Sequence, residues 1–117
     1  MKAYKTCSAL IATAFLFLHG CENPEGHIYQ ANRCAVAYSM GSNVDPSVVT
    51  NAALETGQYM RAHGINKSAA ELTAMTDKVK DEIMGTPDAP YKGWEGRADR
   101  IAESDFCKKY LSSLQAQ

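Results

Sequence analysis

The sequence predicts an all-α domain, a compact bundle of four to five short helices. Two observations carry this expectation. No stretch alternates apolar and polar residues at the two-residue period of a half-buried strand. Instead, glycines, prolines and capping residues cut the chain into segments whose apolar side chains recur at spacings of three and four. At 117 residues the chain has room for one small domain.

The first segment is not expected to belong to that domain. Lys2 and Lys5 give a basic start, an apolar run follows from Cys7 to Leu18, and polarity jumps at His19, Glu22 and Asn23. A basic end, a short apolar middle and a small residue at the boundary are the layout of an export signal, here residues 1–20. The apolar run is shorter than the roughly 20 residues that span a bilayer. The junction Leu18-His19-Gly20-Cys21 resembles the lipobox of bacterial lipoprotein precursors, in which an aliphatic residue and two small residues precede a cysteine. His19 stands where that motif usually has a small residue. The resemblance implies that Cys21 becomes the acylated first residue of the mature chain and holds it to a membrane of the cell envelope, facing the periplasm or exterior. A soluble exported product is the alternative. Residues 21–28 contain Pro24 and Gly26 and read as a polar tether, leaving 29–117 as the helical domain.

A first helix is expected from Tyr29 to about Met40, with Ala31, Cys34, Ala35 and Tyr38 on one face. A second opens on Asp45 as N-cap with Pro46 in the first turn, where a missing N–H is harmless. It runs to His63 and stops at Gly64. Its apolar stripe, from Val48 and Val49 to Tyr59 and Met60, is mixed, and Gly57 in its interior suggests a kink or close approach by a neighbour. The third has the strongest local signal. Ser68 and Glu71 form a capping box, and Leu72, Met75, Val79 and Ile83 follow at helical spacing. Gly85 and Pro87 end it. After a loop, the segment from Trp94 to Leu114 carries two stripes out of step by about one residue. Ser104 lies between them, so a bend or two short helices are expected.

Of four cysteines, Cys7 leaves with the export signal. An oxidising compartment favours disulfides, and three remaining cysteines cannot all pair within one molecule. The lipobox resemblance accounts for the odd one: with Cys21 acylated, Cys34 and Cys107 are left to form a bridge between the first helix and the last. The alternative for Cys34 is a buried free thiol. Metal ligation fits poorly, since neither cysteine has a second cysteine or histidine at ligand spacing.

No catalytic residue, metal ligand set or cofactor motif stands out. His27 and His63 lack an H-x-x-x-H or Cys/His partner. Neither a G-x-S-x-G nor a phosphate-cradling glycine loop occurs. Asp81 and Glu82 are adjacent, so a helix points them apart. Loss of Lys2 and Lys5 leaves ten basic against thirteen acidic side chains, about −3, with no basic block for nucleic acid. The remaining candidate is a partner-binding loop around Tyr91, Trp94 and Arg97, residue types enriched at binding hot spots. The competing expectation is that Trp94 plugs one end of the core. The function expected is that of a non-enzymatic envelope lipoprotein that binds another envelope protein. Cell-envelope defence, exclusion of a mobile element, service to a secretion or conjugation apparatus, and immunity-type inhibition of a delivered toxin all fit its size and location. The alternative is a small exported enzyme or ligand binder with a site near Trp94, using Arg97, Asp99, Arg100 and Glu103.

Overall fold

The computed structural model describes residues 23–85 and 93–115; the expected export signal, Cys21 and Tyr91 lie outside them. The described residues form five helices and no strand: α1 Pro24–Ser39, α2 Pro46–Ala62, α3 Ala69–Met84, α4 Trp94–Ala102 and α5 Asp105–Gln115.

Helix α1 starts five residues before the expected position, so most of the expected tether over 21–28 is helix instead. The cause is local. Asn23 has extended backbone, its side chain accepts from the Gly26 amide at 2.7 Å, and Pro24 follows it in the first turn. This is the same N-cap and proline device as Asp45-Pro46, whose aspartate accepts from the Ser47 amide at 2.9 Å. The gain comes from Ile28, which is 1% exposed; complete burial of such a side chain stabilises by about 1.5–3 kcal/mol.

The remaining boundaries follow the local signals. Ser68 and Glu71 close the capping box with reciprocal bonds of 3.1 and 2.8 Å. Gly64 and Gly85 take positive φ beyond α2 and α3, a conformation that costs glycine little. The final segment divides into two helices. Ser104 sits at the junction, but its hydroxyl donates back to the Ile101 carbonyl at 2.8 Å, closing the turn behind it. The Ser104 carbonyl accepts the first bond of α5, from the Lys108 amide. This break brings Ala98 and Ile101 of α4 and Cys107, Tyr110, Leu111 and Leu114 of α5 into one core despite their phase difference.

Helix α1 is the axis of the fold. It touches each of the other four helices and buries Ile28, Ala31, Cys34, Val36 and Ala37, more than one face of its surface. Around it, α2 contacts α5, α5 contacts α4, and α4 contacts α3. Among the described residues, α2 and α3 do not touch, so the ring around α1 is closed on three sides and open between these two helices. The Cys34–Cys107 disulfide, with Cα atoms 5.3 Å apart, fastens α5 to the axis as expected.

Gly57 has a plainer role than a close approach or a kink. Helix α2 runs unbroken through it, and an added Cβ would meet only the Arg61 guanidinium, at 3.6 Å.

Candidate functional site

The open side of the ring forms an apolar trough of about 310 Å³. Its walls are two helical stripes at the same spacing: Asn32, Ala35, Val36 and Ser39 from α1, and Val49, Ala52, Ala53 and Thr56 from α2. Leu72 closes it from α3. Residues at i, i+3, i+4 and i+7 share one helix face, so each stripe is continuous along the trough. Almost every lining side chain is small, which keeps the two backbones accessible. These positions explain the mixed stripe of α2. Val48 and Ala52 face the core, whereas Val49, 36% exposed, and Ala53 belong to the open trough. Helix α3 buries only Val79 and Ile83, with Leu72 and Met75 half exposed, since among the described residues it has no contact with α2.

On the other flank of α3 lies a polar cleft of about 290 Å³, lined by Arg33, Glu82, Arg97, Arg100, Ile101 and Ser104. Arg33 of α1 and Glu82 of α3 form a two-pronged ion pair, with the Nε prong at 3.0 Å. The pair holds the Glu82 carboxyl below its usual range through the hydrogen bond from Arg33, and raises Arg33 by the same bond. Arg97 reaches from α4 to the end of α3. Its Nε donates to the Ile83 carbonyl at 2.6 Å and its Nη2 to the Met84 carbonyl at 3.1 Å. Terminal helix carbonyls have no intrahelical partner, so Arg97 supplies what the helix lacks.

This placement gives two of the three expected loop residues a structural role. Trp94 opens α4 and packs half-buried against the core, and Arg97 ties α4 to α3. Tyr91 lies outside the described residues. Of the residues expected around an alternative ligand site, Arg97 and Arg100 share the cleft. Asp99 and Glu103 instead line a separate hollow with Tyr38 and Asn43.

A third feature joins residues from α1, α2 and α5 that share no local pattern. His27 stacks on Tyr59 at 4.1 Å, and His63 stacks on Tyr59 at 4.0 Å. Phe106 meets His27 edge-on at 5.8 Å. The His63 Nδ1 lies 3.0 Å from the Tyr59 carbonyl at the end of α2. This cluster pins the first turn of α1 onto α2. The ion pair between Lys67 and Glu25, at 2.9 Å, ties the same turn to the α2–α3 connection. No group of three or more His, Cys, Asp or Glu among the described residues could hold a metal ion. None of the helices among these residues is long and apolar enough to cross a membrane. Comparison with protein-family models, with curated proteins and with solved structures returned no match.

Proposed function

We propose that this chain is a non-enzymatic binding protein of the bacterial envelope, held to a membrane by acylated Cys21, whose docking face is the apolar trough between α2 and α3. The observation that carries the reading is the open ring. Among the described residues, four helices pack around α1 with a gap at one position, and that gap is lined by two stripes of small side chains. Small residues at i, i+3, i+4 and i+7 allow a third helix to approach closely, its larger side chains entering the space left by Ala35, Ala52 and Ala53. The occupant is an amphipathic helix of an envelope protein partner, laid along the trough with its apolar face inward.

The test is site-specific photocrosslinking in the native envelope. A photoreactive residue at Ala53 should give crosslinks that map to one helical segment of one partner, and the same probe at Lys80 should not. Ala53→Glu puts a charge on the trough wall at an exposed position and should abolish capture while leaving the melting temperature unchanged. Crosslinks from Ala53 to residues 1–20 of the same chain, or capture that survives Ala53→Glu, would sink the docking reading. The mass of the mature N-terminus tests the anchor separately, and an unmodified Cys21 would remove it.

A further inference from the structure

The position at which α1 begins limits how far this domain can stand from its anchor. We propose that the helix docked in the trough belongs to a protein held in the same membrane as Cys21, at a segment within about 30 Å of that residue. The proposal rests on acylation of Cys21 and on docking in the trough. Asn23, the N-cap of α1, follows Cys21 by two residues. Two residues of extended chain span at most about 7 Å. An acylated cysteine sits at the membrane interface, so α1 starts within that distance of it.

Helix α1 carries this origin into the domain without a hinge. It runs unbroken from Pro24 to Ser39 and touches each of the other four helices. Its first turn is held to α2 by the stack of His27 on Tyr59, at 4.1 Å, and to the α2–α3 connection by the pair of Glu25 with Lys67, at 2.9 Å. Unwinding that turn to make a longer link would expose Ile28, now 1% exposed, and break the bond from the Gly26 amide to the Asn23 side chain. The α1 wall of the trough runs from Asn32 to Ser39. At 1.5 Å per residue, these lie about 12 and about 23 Å along α1 from Pro24. Added to the link, the far end of that wall is at most about 30 Å from Cys21, whatever the tilt of the domain.

The walls also set the direction of the occupant. The Tyr38 hydroxyl accepts from the Asp45 amide at 2.8 Å, and His27 stacks on Tyr59, so α2 starts beside the end of α1 and returns toward the anchor. A helix laid between these antiparallel walls runs along α1, from the anchored end outward. A helix just outside a membrane-spanning segment has both the required height and this direction. Confinement to the same membrane raises its effective concentration at the trough without any added contact. Lipid is a poor occupant. The described lining carries neither the aromatic nor the basic side chains of a lipid-binding face, and Asn32, Ser39 and Thr56 interrupt its apolar surface.

The experiment lengthens the link. A flexible Gly/Ser insert of about 20 residues between Glu22 and Asn23 has a mean span of about 25 Å and leaves the Asn23-Pro24 cap in place. Photocrosslinking from Ala53 is compared between the full-length parent and the insert variant in the native envelope, and the mass of the mature N-terminus is measured in both. The parent should crosslink to a protein that stays with the membrane through an alkaline carbonate wash, and the yield should fall several-fold in the acylated insert variant. An unchanged melting temperature shows that the insert leaves the fold intact. A partner released by carbonate, a crosslink to lipid, or an undiminished yield in the acylated insert variant would overturn the proposal. The first and third of these outcomes leave docking in the trough standing. No protein crosslink from the parent would remove the docking reading and this proposal with it, and an unmodified Cys21 would remove the anchor on which the height depends.

Discussion

Removing the cross-link between α1 and α5 should cost this domain a large fraction of its stability. The bridge joins residues 73 apart in sequence, and the loop it closes contains all of α2, α3 and α4. In the chain-entropy model a loop of that length restrains the unfolded chain by about 4 kcal/mol. Small domains are stable by only about 5–15 kcal/mol in total, so the bridge decides whether the fold is robust or marginal. Both cysteines are buried, Cys34 at 1% and Cys107 at 3% exposure, so Cys34→Ala/Cys107→Ala also leaves a gap where the sulfurs were. That gap adds about 1 kcal/mol to the loss. At about 4–8 °C per kcal/mol for a domain of this size, the double variant should melt some 20 °C or more below the parent, followed by helical circular dichroism. The same fall should appear when the parent is reduced. Peptide mapping of the oxidised protein should return one cross-linked pair containing Cys34 and Cys107. A double variant that melts within a few degrees of the parent would refute the reasoning, because it would mean that packing alone holds α5 on α1.

Two further outcomes follow from single residues. Gly57→Ala should stabilise the domain by about 0.5–1 kcal/mol in urea titrations, because the position is helical and an added Cβ meets only a flexible guanidinium; a destabilised variant would show that α2 needs its glycine. Burial, reinforced by the nearby Glu55 carboxylate, pushes the Tyr110 hydroxyl up to about 12. Its contribution to stability is therefore complete below the ordinary tyrosine value of about 10 and is lost as pH rises through about 12. Between these values the parent should lose stability faster than Tyr110→Phe, measured as the urea midpoint at each pH; parallel curves would contradict the assignment.

Much of the secondary structure was legible because it is set locally. Asp45-Pro46, the Ser68–Glu71 capping box and the glycines at 64 and 85 act within a turn of themselves, and each does in the fold what its local chemistry implies. The start of α1 differs from the expected position although the same signal is present. Asn23-Pro24 is a cap and first-turn proline, but a run of polar residues with Pro24 and Gly26 also describes a linker. What separates the two is the burial of Ile28 and the His27–Tyr59 stack, neither of which a local pattern contains. The candidate sites were less legible still. Trp94 and Arg97 were picked out by residue type, yet whether an arginine meets a ligand or a helix end depends on where α3 stops.

By itself the sequence pointed to an all-α chain and to most of its helix boundaries, because caps and breakers act through nearest neighbours; the pairing of Cys34 with Cys107 followed only from the expectation that Cys21 is acylated, and the structure shows it directly. Only the tertiary structure decided that α1 is the axis, that α2 and α3 stand apart, and that Arg33, Arg97 and Arg100 share a cleft. The reason is physical. A stripe of small apolar residues packs equally well against a neighbour within the chain or against a partner from outside it. Which of the two applies depends on the number of helices available to surround α1, and among the described residues four leave one side open.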